Sequence, residues 1–195
     1  MFGNPLINEM KWPVQKMKDV APSSPYSGKV SSNGNLYWLL NLDMIESNTG
    51  RVIDKVYMSM KEIGQSTTTF SSEYVLFSKL RPYLNKVVIP DDSGYATTEL
   101  IPLLPDPDRL KQEYLAQLLR GDEFLSFIST QVSGTKMPRV TMNVFWDFKV
   151  MLPPLELQEQ FATFVRQSDK SKFELEQSLA ELQSTYKRII DENLR

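Results

Sequence analysis

Cysteine and histidine are both missing from this 195-residue chain. Without cysteine there is no disulfide framework, thiolate metal site or sulfur nucleophile, which is compatible with a reducing compartment. Without imidazole, most zinc sites and the Ser-His-Asp and Cys-His constellations cannot be assembled. An autonomous enzyme would have to work with carboxylates, lysine or tyrosine alone. Long apolar runs are missing as well: nothing approaches the roughly 20 residues that span a bilayer. Residues 1–14 lack the basic-then-apolar pattern of a leader. The chain is expected to be soluble and cytoplasmic, with no membrane partner.

Several chemical signatures are absent too. There is no G-x-G-x-x-G, no G-x-x-x-x-G-K-[ST] and no EF-hand loop, so neither phosphate cradling by glycines nor a calcium loop is indicated. No [DN]-P-P-[FYW] tetrapeptide of the amino-methyltransferase kind occurs. Pro153-Pro154 is flanked by Leu152 and Leu155, which can neither hold a base amino group nor stack on it. Asp91, Asp92 and Glu99 are scattered carboxylates that read as surface turn chemistry. No catalytic residue, metal ligand or cofactor site is assigned to the chain. Excess positive charge is lacking as well: residues 1–154 carry 16 basic and 16 acidic side chains, and residues 155–195 carry 6 and 8. Any surface that faces nucleic acid must therefore be local.

With 41% apolar and 24% charged residues the chain can bury one solid core. Its clearest element is the C-terminal segment. After Pro153-Pro154, residues 155–194 contain no Pro or Gly, and Glu156 and Glu159 fall in the first turns, where the helix macrodipole favours negative charge. One long helix is expected, on the order of 58 Å at 1.5 Å per residue. Leu175, Leu179, Leu182, Tyr186 and Ile189 repeat at spacings of 4, 3, 4 and 3. The same register carried backwards meets Lys172, Ser168, Val165 and Phe161, giving a seam that is apolar at both ends and polar in the middle. A helix of this length needs something to lie against.

Ahead of it the pattern is mixed α and β. Residues 144–152 alternate, with Trp146, Phe148, Val150 and Leu152 on one face, and predict a half-buried strand. Weaker strand signals cover 36–42, 52–58, 74–77, 86–89 and 97–103, separated by turns such as Asn33-Gly34 and Asn48-Thr49-Gly50. A helix is expected from a cap at Asp106, with Pro107 at its first position, to Gly121, followed by a short one over 122–130.

Two segments are basic without any acid. Residues 77–88 hold Lys79, Arg81 and Lys86 with Tyr83 and Asn85; residues 133–143 hold Lys136 and Arg139. Such loops supply phosphate contacts together with donors and acceptors for base edges. Each alone also fits a solvated surface loop.

The order of motifs resembles half of a specificity subunit from a type I restriction-modification system. A tryptophan opener runs from Trp12 to Val20, with Met17-Lys18 where the family usually has Leu-Gly. Then come the strand and basic turn of 75–84, the Thr97-Thr98-Glu99-Leu100-Ile101-Pro102 string and the Ser133-Gly134-Thr135-Lys136 element. The most specific string is last: Leu152-Pro153-Pro154 with Gln158-Glu159-Gln160 at a strand-to-helix junction. Residues 1–5 are similar to a string that follows the first long helix in full-length members.

The resemblance implies an α+β fold: a mixed, mostly antiparallel β target recognition domain with short helices over residues 1–154, then one long coiled-coil helix over 155–195 for dimerisation and spacing. It implies a non-catalytic subunit that reads one half of a bipartite site on double-stranded DNA. Its partners would be DNA adenine methyltransferase subunits that bring S-adenosylmethionine, restriction subunits, and a second copy of itself or another half specificity subunit. Candidate DNA-binding residues are Lys79, Arg81, Tyr83, Asn85, Lys86, Lys136 and Arg139. The candidate helix seam is Phe161, Val165, Leu175, Leu179, Leu182, Tyr186 and Ile189. The rival expectation is a non-catalytic protein-protein adaptor that docks through the long helix.

Overall fold

The computed structural model describes residues 2–193. The chain opens with β1 (Val14–Lys16) and a single helical turn, α1 (Met17–Val20). Strands β2 (Ser32–Asn33), β3 (Leu36–Leu40) and β4 (Val56–Ser59) lead to the short helix α2 (Met60–Ile63). Five strands follow: β5 (Thr67–Phe70), β6 (Val75–Ser78), β7 (Val87–Val88), β8 (Gly94–Thr97) and β9 (Leu100–Leu103). Helices α3 (Gln112–Arg120) and α4 (Asp122–Ser129) precede a hairpin of β10 (Val132–Ser133) and β11 (Arg139–Val140). The chain ends with α5 (Met142–Asp147), β12 (Lys149–Met151) and the long α6 (Leu155–Asn193).

The middle layer is an antiparallel sheet in the order β7-β6-β9. Every residue of β6 is buried, because apolar side chains on both of its faces meet a core. Val75, Phe77, Val87 and Leu103 point to the helices, where Leu115, Leu119, Phe124 and Phe145 complete one cluster. Leu76, Val88 and Leu100 point the other way, towards Trp38, Leu40, Phe70 and Ala96 of a five-stranded sheet formed by β2, β3, β4, β5 and β8. In that sheet only β3 and β8 run parallel. Helices, inner sheet and outer sheet thus make three layers, and the expected mixed, mostly antiparallel α+β fold with a long terminal helix is what the chain adopts.

Residues 144–152 do not form one strand. Residues 142–147 wind into α5 and only 149–151 extend, as β12 paired with β1. The alternating pattern placed Trp146 inside, yet the buried aromatics are Phe145 and Phe148, three residues apart and so on one side of a helical turn. Phe145 stacks on Phe77 with ring centroids 4.7 Å apart. The helix expected from Asp106 begins only at Gln112. Asp106 instead closes a separate turn, accepting from the Asp108 backbone at 3.0 Å and from Arg109 Nε at 2.6 Å.

A glutamine explains why the helix starts late. Gln158 in the first turn of α6 is fully buried: its Oε1 accepts from the Lys111 backbone at 2.9 Å, and its Nε2 donates to the carbonyls of Arg109 at 3.0 Å and Pro153 at 2.8 Å. The Lys111 amide is thereby withdrawn from any helical ladder. The same side chain locks the base of α6 to the body. Further along, Arg166 pairs with Glu113 of α3 and, at 3.0 Å, with Glu159, and Glu176 accepts from Arg51 at 2.7 Å. Beyond that point α6 extends for about another 25 Å at 1.5 Å per residue. Among the described residues no helix is long and apolar enough to cross a membrane.

Candidate nucleic-acid interface

The two basic segments, distant in sequence, meet in space. Residue 80 bridges to 139, the Lys79 carbonyl accepts from the Val140 amide at 2.9 Å, and the Arg81 amide donates to the Pro138 carbonyl at 2.8 Å. The turn after β6 and the β10–β11 hairpin therefore form one ridge. The Lys79 amide ties it to the Glu99 carbonyl at 3.0 Å. Gly134, at φ +86°, lets the hairpin reverse without strain.

Along this ridge Arg81, Tyr83 and Lys136 are exposed, and Lys79 is half-buried. Arg81 sits in the left-handed region at φ 48°, ψ 63°, immediately before a single 3-10 turn over Pro82–Leu84; Asn85 closes that turn in the same region at φ 48°, ψ 53°. Non-glycine residues hold such a conformation only where their surroundings fix it.

Arg139 also faces solvent, but it is engaged. Its Nη2 lies 2.8 Å from Glu99 Oε1 and its Nε donates to both carboxylate oxygens at 3.2 and 3.3 Å. The hydrogen bonds and charge of Arg139 hold the Glu99 carboxyl below its usual pKa, outweighing partial burial. Glu99, read from sequence as ordinary turn chemistry, is thus the counter-ion built into the ridge, since β9 begins beside β11.

Asn85 and Lys86 turn inward. The Asn85 amide is buried and donates to the Arg120 carbonyl at 2.9 Å; Lys86 Nζ donates to the Leu42 carbonyl at 2.6 Å. Both side chains are spent on backbone carbonyls of the body, which holds the turn in place. Arg120 was not singled out from sequence. Its guanidinium donates to the Val87 carbonyl from Nη2 at 2.6 Å and Nε at 3.1 Å, and burial lowers its pKa from the usual value.

The seam residues divide in two. Phe161 is half-buried against Phe2, ring centroids 5.2 Å apart, and Val165 lines a cleft of about 450 Å³ between α6 and the body with Ile89, Ala116, Arg120 and Phe173. These two positions are covered by the chain's own residues, so the exposed stripe starts later. Leu175, Leu179, Leu182 and Tyr186 are exposed, and Ile189 is half exposed. Phe164, outside the expected register, is also exposed.

Residues 9–183 match the family described as "Type I restriction modification DNA specificity domain". Over 125 residues, 63% of this chain, the sequence is 26% identical to the type I restriction enzyme EcoDI specificity subunit of Escherichia coli. Two solved structures have a similar fold. One is the HsdS subunit from Thermoanaerobacter tengcongensis, at TM-score 0.65 and 23% identity over 87% of this chain and 45% of that one. The other comes from work on complex assembly and conformational transition of the type I R-M system, at TM-score 0.65 and 22% identity over 89% of this chain and 46% of that one. The chain spans 27% of the length of the Escherichia coli relative and less than half of each solved chain. With the family match running from Glu9 to Gln183, the chain belongs to the type I restriction-modification DNA specificity domains.

Proposed function

We propose that the chain is a sequence-reading subunit of a type I restriction-modification complex, in which residues 1–154 read one half of a bipartite site on double-stranded DNA. Residues 155–195 pair with a second copy, or with another half specificity subunit, and set the distance between two reading heads. Adenine methyltransferase subunits carrying S-adenosylmethionine, together with restriction subunits, supply the chemistry, and the complex works in the cytoplasm. The chain itself is non-catalytic. A two-fold dimer with identical heads requires inverted, symmetric half-sites.

The observation that carries this reading is the joining of two acid-free basic segments into one ridge that exposes Arg81, Tyr83 and Lys136. A backbone-linked ridge fixes cations and an aromatic hydroxyl relative to each other, as base and phosphate recognition needs. The test is selection from a randomised duplex pool in the presence of an adenine methyltransferase. The wild-type chain is expected to enrich a split, symmetric word, and a Lys79/Arg81/Lys136/Arg139 quadruple alanine variant is expected to lose that enrichment. Equal enrichment by both proteins overturns the assignment of the ridge, and no sequence-selective retention of DNA by the wild-type chain overturns the reading and favours the adaptor role.

A further inference from the structure

We propose that Asn85 and Arg120 form a clamp that aims Arg81 and Tyr83, so that both are positioning residues for DNA recognition without touching DNA. The clamp rests on the reading of the ridge as the DNA contact.

Its geometry is two-pronged. The last residue of α3, Arg120, holds the exit of the turn at two points: its backbone carbonyl accepts from the Asn85 side chain at 2.9 Å, and its guanidinium grips the Val87 carbonyl at 2.6 and 3.1 Å. Carbonyls at a helix C-terminus have no intrahelical partner, so the Asn85 amide fills a vacancy the helix creates. A guanidinium fork on one carbonyl fixes direction as well as distance. Both prongs fall at the exit of the 3-10 turn, on Asn85 and Val87, while Arg81 stands at its left-handed entry, where its own amide is held by the Pro138 carbonyl at 2.8 Å.

The clamp is covered by residues 46–51. The Asn48 amide donates to the Asn85 carbonyl at 3.1 Å. Gly50, at φ +70°, packs so closely that a Cβ there would sit 1.7 Å from the Val87 carbonyl oxygen and 2.4 Å from Arg120 Nη2. The next residue, Arg51, pairs with Glu176 on α6 at 2.7 Å. The direction of Arg81 is therefore referred, through α3 and residues 46–51, to the helix that separates the heads. A loop hinged freely on β6 would leave each head's cations adrift relative to the half-site spacing.

The discriminating experiment is a double-mutant cycle on full-length protein, using a duplex enriched by the wild-type chain from a randomised pool. R81A is expected to weaken binding by about 5- to 150-fold if the guanidinium reads a base. N85G keeps the left-handed backbone and deletes only the prong; it is expected to weaken binding at least 3-fold on the order-of-magnitude scale of a lost contact. The double variant R81A/N85G is expected to bind no worse than R81A, because the clamp acts through Arg81. R120Q should repeat this pattern and R120K, which keeps one donor, should recover part of it. Additive losses, or undiminished binding by both N85G and R120Q, overturn the clamp while leaving the DNA reading in place. Undiminished binding by R81A overturns the DNA reading and the clamp together.

Discussion

Replacing Leu179 and Leu182 with glutamine separates the two jobs of α6. Both side chains are mostly exposed, at 57% and 68%, on the stretch of helix beyond its last ion pair to the body. Glutamine is about as good a helix former as leucine, so the helix itself should persist. Full burial of a leucine is worth about 2 kcal/mol; scaled by the exposed fraction, each position has roughly 1.2 kcal/mol to gain against a partner. In a two-fold pair the double substitution removes four such side chains, or about 5 kcal/mol. That corresponds to a 10³- to 10⁴-fold rise in the dimer dissociation constant. Light scattering across a micromolar dilution series should show a dimeric wild type and a monomeric L179Q/L182Q variant. The thermal melt of the variant at low concentration should match that of the dissociated wild type, since neither leucine supports the body. A wild type that is monomeric throughout, or a variant that remains dimeric, would refute the seam.

Two further substitutions probe the body. Glu99→Gln leaves Arg139 without its counter-ion, so non-specific DNA binding should tighten and the slope of log affinity against log salt should steepen by about 0.9 for one added phosphate contact; an unchanged slope would place Arg139 off the DNA. The same pair predicts a pH effect. The Glu99 carboxyl is depressed in the folded state, so its contribution is complete above the ordinary value of 4.5 and is lost as pH falls through the lower folded value. Glu99→Gln should therefore flatten the acid side of hydrogen exchange in the β10–β11 hairpin below pH 4.5. Gln158→Leu strands the Lys111 amide and two carbonyls in the interior and should cost about 2–4 kcal/mol, read as a lower melting temperature and faster exchange at the start of α6; a loss under 0.5 kcal/mol would deny Gln158 its locking role.

How much of this was legible in the sequence depended on the range of the deciding interaction. The long helix was legible because it needs only an uninterrupted segment and a stripe, and β6, β7 and β9 were legible because apolar runs between turns suffice. The 142–151 region was not, since Trp146 and Phe148 alternate as a strand does while Phe145 and Phe148 share a helical face; the rings of Phe77 on β6 and Phe124 on α4, both distant in sequence, decide between them. The late start of α3 depended on Gln158, 47 residues away. At the ridge, residue type identified Arg81 and Lys136 as cations in acid-free surroundings. Nothing local distinguished Asn85, whose acceptor is the terminal carbonyl of a helix 35 residues on. Local chemistry announced which side chains are suited to DNA, while long-range hydrogen bonds decided which of them reach solvent.

The neutral charge of the body then has a physical consequence for recognition. Among the described residues, seven of its 16 cations are paired with carboxylates: Lys16 and Lys18 with Asp147, Arg51 with Glu46 and Glu176, Lys55 with Asp91, Arg109 with Asp106, Lys111 with Glu159 and Arg139 with Glu99. Exposed ion pairs add little stability, but they cancel the long-range attraction that drives non-specific binding to DNA. A single head with few unpaired cations should bind DNA weakly alone. In the proposed assembly the second head is delivered at high effective concentration, and only where the half-sites lie at the separation that α6 sets. Under the proposed function the long helix and the short-range electrostatics belong together, and affinity should depend on both halves of the word being present at the right distance. Lengthening α6 by one full turn of four residues, about 6 Å, should shift the preferred spacer in a randomised selection by one or two base pairs; retention of the original spacer would show that α6 does not measure it.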